Sequence, residues 1–370
     1  MARALMAALA AAGHSLHVAS SFRSLDLAGD SQRQARLAAL GHRLAERFLR
    51  GVRRRSIPCP ELWFTYHLYH KAPDWLGPAI CRSLGIPYLA AEASHAPKQR
   101  GGPWHEGYKA SEEAIRQAAA VLPVTRRDAE ALRLLVPARR LRPLPAFLED
   151  IAPYTEASRG RALHRDALAV QFGLDRDRPW LLAVAMMRAG AKLASYKQLA
   201  AALEALCERD WQLLVVGDGP ARGEVERAFR RHAAHRVVFC GRQPVSALPA
   251  FYAAADMLVW PAVNEAICLV LLEAQATGLP VVACDHGGVS EIVRDRETGL
   301  VCQPDDPAAL AAAVRELMDD AALHRKLRES GPRVVAREHS LDAATRQLQR
   351  VIAEVTATER SARAGRGPRA

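Results

Sequence analysis

The sequence of 370 residues predicts an α/β protein with two doubly wound domains. The first observation behind this prediction is the length, because domains of about 100–200 residues leave room for two. The second is that half of the residues are apolar, which is enough to bury a core in each domain. The third is that short apolar runs alternate with helix-length segments along both halves. That alternation is typical of parallel sheets covered by helices.

The first half opens with an Ala-rich segment that has two interpretations. Residues 2–12 are either a helix or the apolar region of a signal peptide. We favour a helix that ends at Gly13, because signal peptides are usually richer in leucine. A strand at residues 16–19 and a long basic helix at residues 32–53 follow. Strands are then predicted at residues 62–66, 87–91 and 120–124, with helices at residues 75–84 and 110–119.

The second half shows the same alternation with sharper strands. A looser stretch that contains Pro153, Ser158 and Gly160 precedes it, and we predict the boundary between the domains at residue 155. Strands are predicted at residues 180–187, 211–216, 237–240, 257–260 and 280–283. Helices are predicted at residues 198–209, 223–232, 246–255, 269–277, 307–318, 322–329 and 341–357. The basic tail, residues 358–370, lacks large apolar side chains and is predicted to be disordered.

The positive charge of the chain is concentrated in its first half. The chain has a net charge of +11, and residues 1–160 hold 23 basic against 14 acidic residues, whereas residues 161–358 hold 24 against 25. This asymmetry favours an anionic acceptor or a membrane surface near the first half over a nucleic acid. The run Arg53-Arg54-Arg55 ends the long helix, where a solvated helix end is favoured over a lipid contact. No uncharged apolar stretch is long enough for a membrane-spanning helix.

The seven cysteines are widely scattered and contain no C-x-x-C pair. This spacing fits neither a disulfide framework nor a zinc site. We therefore predict buried, reduced thiols in a cytoplasmic protein.

The predicted strand at residues 257–260 is followed by two glutamates, Glu265 and Glu273. If a helix begins near Ala266, Glu273 lies two turns into it on roughly the same face as Glu265. The first amides of that helix would then be free to donate to an anion. These amides belong to Ala266, Ile267, Cys268 and Leu269.

Basic residues follow the strand predicted at residues 180–187. Arg188 can bind phosphate oxygens through two parallel N–H groups, while Lys192 or Lys197 supplies a compact charge. Together they can stabilise a departing diphosphate without a metal ion, and no D-x-D pair follows a strand here. Gly217 and Gly287 lie after two further strands, where the backbone is predicted to pass close to a ligand.

Residues 180–301 resemble the nucleotide-sugar-binding domain of retaining glycosyltransferase family 4, which has the GT-B fold. The resemblance rests on VVGDGP, VVFCGRQP and FYAAADMLVWPAVNEAICLVLLEAQATGLPVVACDHGGVSEIVRDRETGLVC, followed by DDPAALAAAV. A weaker similarity covers GHSLHVAS, LGIPYLAAEASH and VTRRDAEAL in the first half. The resemblance implies two Rossmann-like domains that face a cleft, residues 1–155 and 156–338, with the helix at residues 341–357 returning to the first.

The resemblance also implies a role for each candidate residue. Glu265 would contact hydroxyls of the donor sugar, and Glu273 would hold the ribose. Arg188 with a lysine would hold the diphosphate, and we prefer Lys192 over Lys197 because of its spacing from the arginine. The remaining donor-binding positions would include Gly217, Gly241 and Arg242. His95 is the candidate on the acceptor side, and a loop histidine without a ligand is the alternative.

One departure from the family concerns the start of the first domain. Family members open with a strand and a glycine-bearing loop, whereas this sequence begins at the helix that normally follows them. We therefore predict a first sheet without its central strand, and the backbone groups left unpaired on its neighbours are costly to bury. Extending the chain by about 20–25 residues, enough for a strand and a loop, is predicted to improve folding and turnover.

The sequence thus predicts a metal-independent, retaining glycosyltransferase without a cofactor, acting in envelope, lipopolysaccharide or exopolysaccharide synthesis. Its partners would be a nucleoside-diphosphate sugar and a glycan or lipid-linked acceptor, in the cytoplasm or at the inner face of the membrane. One alternative is a nucleotide-sugar 2-epimerase of the same fold. Another is a truncated, non-catalytic protein that binds nucleotide sugars. A nucleic-acid-binding protein is the weakest alternative, because the second half offers no basic surface that follows phosphates.

Overall fold

The computed structural model describes residues 1–232 and 235–364. It consists of parallel β-sheets and helices, which confirms the predicted α/β class. The helices are α1 (Ala2–Ala11), α2 (Ser31–Arg53), α3 (Gly77–Leu84), α4 (His105–Gln117), α5 (Arg126–Leu132), α6 (Ala152–Arg159), α7 (Arg161–Phe172), α8 (Ala191–Glu204), α9 (Arg222–Ala228), α10 (Leu248–Ala254), α11 (Leu269–Thr277), α12 (Val289–Ile292), α13 (Pro307–Asp319), α14 (Ala321–Glu338) and α15 (Leu341–Ala364). The strands are β1 (Trp63–Tyr66), β2 (Tyr88–Ala91), β3 (Ala120–Leu122), β4 (Trp180–Val184), β5 (Gln212–Val216), β6 (Val237–Gly241), β7 (Met257–Trp260), β8 (Val281–Cys284) and β9 (Gly299–Cys302).

The chain divides into two compact units. Met1–Pro145 and the chain from Ala344 onward form the first unit, and Ala146–Ala343 form the second. The looser stretch that we interpreted as the connection between domains contains the helices α6 and α7, which pack on α10 in the second unit. Arg161 and Arg165 of α7 both bind the carboxylate of Asp256, at 2.6 and 3.0 Å. The second unit therefore begins before the predicted boundary at residue 155.

The first unit contains a three-stranded parallel sheet in the order β1-β2-β3. All four residues of β2 are buried, whereas those of β1 are half-buried. Asp74 links β1 to the start of α3, because its carboxylate accepts from the Thr65 hydroxyl at 2.6 Å and from the Gly77 amide at 2.9 Å. The other edge of β1 pairs with no strand among the described residues.

The prediction of a strand at residues 16–19 is wrong, because the structure has no regular element there. A strand needs a neighbour for its backbone hydrogen bonds, and none of the described strands pairs with this segment. A cavity of about 1710 Å³ is lined by this segment together with β1, α1 and part of α15. The opening segment forms the helix α1, whose residues Leu5 and Leu9 are buried.

The second unit contains a six-stranded parallel sheet in the order β6-β5-β4-β7-β8-β9. Three tryptophans of its core, Trp180, Trp211 and Trp260, are fully buried. The order of the strands is that of a doubly wound sheet, which confirms the prediction. Strand β9 was not predicted, because it is short, begins with a glycine and follows a turn-rich segment.

Several boundaries differ from the prediction. Helix α8 begins at Ala191 rather than at residue 198, directly after Gly190 takes a positive φ of 78°. Helix α14 continues through Pro332 to Glu338, with Val334 and Val335 buried. Helix α15 extends to Ala364, so the prediction of disorder is wrong for residues 358–364, which are rich in helix-forming residues. Residues 365–370 of the tail lie outside the described part of the chain.

Five of the seven cysteines are buried and all seven are free. Cys59 and Cys207 are exposed, which corrects the prediction that the thiols are buried. No helix within the described residues is both long and apolar enough to cross a membrane.

Candidate active site

The strand order places a topological switch between β4 and β7. From β4 the chain winds outward through β5 and β6, and it then returns to the other side of β4 as β7. All neighbouring strands are parallel, so their carboxyl ends lie at one edge of the sheet. In open α/β sheets ligands bind at this edge, next to the switch point. The loops after β4 and β7 are therefore the first place to look for a site.

Lys192 and Glu265 meet at the switch. Lys192 lies in the first turn of α8, which follows β4, and its ammonium donates to Oε2 of Glu265 at 2.6 Å. The other carboxylate oxygen, Oε1, accepts a hydrogen bond from the indole Nε1 of Trp260 at 2.7 Å. The side chains of Glu265 and Lys192 are 9% and 19% exposed, so the pair is largely shielded but open on one side. Lys197 is exposed and makes no such contact with a described residue.

The loop that holds Glu265 has an unusual backbone. Ala262 and Asn264 have positive φ angles of 56° and 52°, a conformation that non-glycine residues rarely adopt. The amide of Val263 donates to the hydroxyl of the buried Ser195 at 2.9 Å, which ties this loop to α8. A Cβ atom on Gly287 would lie 1.9 Å from the carbonyl oxygen of Glu265. Strained backbone that is held by its surroundings is common at functional sites.

The helix after this loop begins later than Ala266. Its first residue is Leu269, so Glu273 lies just over one turn into α11 rather than two turns, and Ala266, Ile267 and Cys268 belong to the loop. The amides of residues 266–270 donate to no described backbone or side-chain group. Together with the N-terminus of α11 they form a row of free N–H donors, and such donors favour an anion.

Glu273 faces the helix α10. Its carboxylate accepts a hydrogen bond from the hydroxyl of the buried Tyr252 at 2.5 Å. Burial raises the pKa of Glu273, and hydrogen bonds from Tyr252 and Tyr154 reduce this rise without cancelling it. Burial also raises the pKa of the Cys268 thiol, and the charges of Glu265 and Glu273 both add to this rise. Both glutamates are thus close enough to Cys268 to influence its thiol.

The other predicted basic residues have no partner at the site among the described residues. The side chains of Arg188 and Arg242 are exposed, and neither forms an ion pair or a hydrogen bond with a residue that the structure describes. Arg188 follows β4, and its carbonyl oxygen accepts from the amide of Leu193 in α8. Both guanidinium groups are therefore free to bind a ligand.

The glycines after β5 approach protein backbone rather than an open ligand site. A Cβ atom on Gly217, where φ is +145°, would lie 1.9 Å from the carbonyl oxygen of Ala185, and one on Gly219 would lie 2.3 Å from that of Met187. We predicted that the backbone at Gly217 passes close to a ligand, whereas the structure shows a close approach to protein backbone instead. Gly241 has a positive φ of 68°, and a Cβ atom placed on it would meet no described atom within 4 Å. Its carbonyl oxygen accepts from the Gly217 amide.

His95 lies in the first unit, in the loop after β2. Its ring packs against Tyr108 with 5.6 Å between the centroids, and burial lowers its pKa. A polar pair lies elsewhere in this unit, where Nδ1 of His67 is 3.1 Å from Oε1 of Glu92. Both residues have positive φ angles, 63° and 51°, at the ends of β1 and β2. This pair was missed at the level of the sequence, because Glu92, although it lies in the segment LGIPYLAAEASH, is 25 residues away from His67.

Trp260 was also missed as a partner of Glu265. The signal was present in the sequence, because a tryptophan that ends a buried strand needs an acceptor for its N–H group. Glu265, five residues further on, is that acceptor. Tyr252 gave a weaker signal, because its partner Glu273 is distant in sequence.

Comparison with known proteins identifies relatives of this chain. A family model for glycosyl transferases group 1 matches residues 178–320. Alpha-D-kanosaminyltransferase of Streptomyces kanamyceticus is 32% identical over 66% of this chain and 63% of its own length. D-inositol 3-phosphate glycosyltransferase of Salinispora tropica is 37% identical over 43% of this chain and 36% of its own length. The chain thus spans less than two thirds of either relative.

Solved structures with the same fold cover nearly the whole chain. A glycosyltransferase from Rickettsia africae has a TM-score of 0.75 and 16% identity, over 95% of this chain and 94% of its own. Sucrose-phosphate synthase from Thermosynechococcus elongatus has a TM-score of 0.69 and 22% identity, over 96% of this chain and 93% of its own. At these identities the likeness concerns the fold. By its sequence the chain is thus similar to glycosyl transferases group 1, with the family match in the second unit, and its fold is that of GT-B glycosyltransferases.

Proposed function

We propose that this chain is a retaining glycosyltransferase that transfers a sugar from a nucleoside-diphosphate donor to the hydroxyl group of an acceptor. The observation that carries the proposal is the contact of Lys192 with Glu265 at 2.6 Å, at the switch between β4 and β7. A cation, an anion and a row of free amides meet there. These groups match the diphosphate and the sugar hydroxyls of a nucleotide sugar.

In this proposal the diphosphate binds to the free amides of residues 266–270 at the start of α11. An ammonium group has three N–H donors, and Glu265 uses one of those of Lys192, so two are left for phosphate oxygens. Arg188 is exposed and supplies a second cation. Glu265 accepts hydrogen bonds from hydroxyl groups of the donor sugar, and Glu273 binds the ribose.

The proposed reaction needs neither a metal ion nor a dedicated base. Negative charge develops on the diphosphate as its bond to the sugar breaks, and cations and oriented amides stabilise that charge. An oxygen of the leaving phosphate takes the proton of the acceptor hydroxyl, which attacks from the same face. Retention of the anomeric configuration is inferred from the resemblance to the family.

For the acceptor we propose a glycan or lipid-linked molecule of the cell envelope, used in lipopolysaccharide or exopolysaccharide synthesis at the inner face of the membrane. The excess of basic residues in the first half supports this. In that case the protein is released from membranes by salt. A protein that does not bind membranes even at low salt would contradict this acceptor class.

A small polyhydroxylated acceptor is the second candidate, and the names of the relatives favour it. One relative is a kanosaminyltransferase, and another is a 2-deoxystreptamine glucosyltransferase that is 28% identical. Others are named for inositol 3-phosphate and for malate. Transfer to a soluble polyol in the absence of lipid would select this candidate.

An epimerase is distinguished from a transferase by incubation with the donor alone. An epimerase changes the sugar of the nucleotide sugar when no acceptor is present. We expect instead only slow hydrolysis, which releases the nucleoside diphosphate. A changed sugar on an intact nucleotide would contradict the proposal.

The replacement Glu265→Ala tests the proposed site. The wild-type chain is first screened with UDP-, GDP-, ADP- and dTDP-hexoses by thermal shift and by release of the nucleoside diphosphate. Loss of a charged group that stabilises the transition state is expected to lower this release by about 100-fold or more. Glu208→Ala, which removes an exposed glutamate of the same unit, is the matched control. Equal rates in both variants would refute the assignment.

A further inference from the structure

Trp260 ends β7 and is fully buried. Its indole Nε1 donates to Oε1 of Glu265 at 2.7 Å. The ring packs edge-on against Tyr196, with 5.0 Å between centroids and 78° between planes. Tyr196 is itself held by a hydrogen bond from its hydroxyl to the carbonyl oxygen of Ala185, at 2.8 Å. The indole donor is therefore fixed in the core of the second unit.

The two groups that bind Glu265 differ in rigidity. Lys192 reaches the carboxylate with a flexible side chain that is 19% exposed, and its ammonium lies 5.3 Å from the centre of the Trp260 ring. The indole has a single N–H group on a rigid, fully buried ring. An ionised carboxylate has about four acceptor positions, so about two remain free after these two contacts.

We infer that Trp260 is a positioning residue of the transfer reaction, which orients the Glu265 carboxylate toward the hydroxyls of the donor sugar. The inference rests on the proposed function, because it assigns Glu265 to the donor sugar. Trp260 does not touch the substrate. Its effect is transmitted by the single hydrogen bond from Nε1 to Oε1.

The variant Trp260→Phe removes the N–H donor and keeps an aromatic ring. A hydrogen bond to a charged group accounts for about a 10- to 100-fold effect, so we expect a loss of this size in kcat/KM for the nucleotide sugar. Binding of the nucleoside diphosphate alone is expected to change by less than about twofold, because that molecule has no sugar for Glu265 to contact. If Trp260 had a purely structural role, Trp260→Phe would weaken both sugar transfer and binding of the nucleoside diphosphate.

Trp180→Phe is the matched control. Trp180 is also fully buried in the same sheet, and its Nε1 donates to the carbonyl oxygen of Asp175 at 2.8 Å. Its replacement removes a comparable bond but lies at the start of β4, away from Glu265. We expect a similar loss of thermal stability in the two variants, with the loss of sugar transfer confined to Trp260→Phe.

A double-mutant cycle separates the inference from the proposed function. If Trp260 acts through Glu265, Trp260→Phe costs less than about threefold in transfer when Glu265→Gln is already present. Independent, multiplicative effects of the two replacements would overturn the inference while leaving the proposed function intact. Full transfer activity of Glu265→Gln alone would overturn both.

If Trp260→Phe fails to fold, a second variant tests the same hydrogen bond to Glu265. Replacement of Trp260 by benzothienylalanine puts sulfur in the place of N–H on a ring of nearly the same shape. The expected result is again a loss in sugar transfer of about 10-fold or more with unchanged binding of the nucleoside diphosphate. Wild-type transfer by this variant would contradict the inference.

Discussion

The two sheets of this chain differ in how their strands are enclosed. In the second unit β4 pairs with both β5 and β7, and all of its residues are buried. In the first unit β1 pairs with β2 alone among the described strands, its residues are half-buried, and it lines a cavity of about 1710 Å³. A strand enclosed on both sides fixes the loop that follows it, and the contact of Lys192 with Glu265 depends on two such loops. The better-enclosed sheet is therefore the one that carries the candidate site.

The largest expected effect comes from truncating a side chain in each sheet. Leu182 in β4 is inaccessible to solvent, so Leu182→Ala is expected to destabilise the second unit by about 3–5 kcal/mol. Phe64 in β1 is half-buried, and Phe64→Ala is expected to cost about 1–2 kcal/mol in the first unit, because less contact is lost. Denaturant unfolding of each variant measures both values. Equal costs would contradict the difference in enclosure.

Replacing a glycine of the second unit is expected to have the next largest effect. In Gly217→Ala the new Cβ meets the carbonyl oxygen of Ala185, so the loop after β5 must move, with a cost of about 2–3 kcal/mol. Gly241→Ala is the control, because it also has a positive φ but open space around the Cβ, and about 1 kcal/mol is expected. Thermal unfolding compares the two. A larger loss in Gly241→Ala would show that the close backbone contact is unimportant.

The open edge of β1 can be tested by adding a strand. A segment of about 20–25 residues, with an apolar strand and a glycine-bearing loop, is joined before Met1. At about 0.5 kcal/mol for each cross-strand pair, about four or five pairs are expected to stabilise the first unit by about 2 kcal/mol. A segment of the same length made of glycine and serine is the control. Equal unfolding midpoints and turnover for the two segments would show that the open edge of β1 limits neither stability nor activity.

The smallest expected effect is a pH dependence from Glu273. Burial raises the pKa of this carboxyl in the folded chain, so the folded state disfavours its ionisation. Its contribution to stability is therefore present at low pH and is lost as the pH rises from the ordinary value of a glutamate through the raised one. Glu273→Gln removes this loss. The difference in stability between variant and wild type is expected to grow as the pH rises through this range and to level off above it, and a difference that shrinks across the range would contradict the assignment.

The sequence was sufficient to predict the sheet of the second unit, and it singled out Lys192 and Glu265, which the structure brings into contact. The buried strands there are continuous apolar runs, and Glu265 lies in a specific motif. The contact of Lys192 with Glu265 joins residues after β4 and β7, which the predicted doubly wound order brings to one edge. Boundaries were less predictable, because Gly190 starts α8 early and Pro332 does not end α14.

Other features depend on contacts that a sequence does not display. Residues 16–19 have the composition of a strand, but whether they form one depends on a pairing partner elsewhere. The tight approach of Gly217 to Ala185 arises from two loops far apart in sequence. The pairs Tyr252–Glu273 and His67–Glu92 likewise join distant segments, so no local pattern reveals them.

A crystal structure of the full chain with a nucleoside-diphosphate sugar tests the central claim most directly. We expect the diphosphate to lie against the free amides of residues 266–270 and the Lys192 ammonium, with a sugar hydroxyl on Glu265 within about 3.2 Å. A diphosphate bound at any other place, or a sugar without contact to Glu265, would contradict the proposed site.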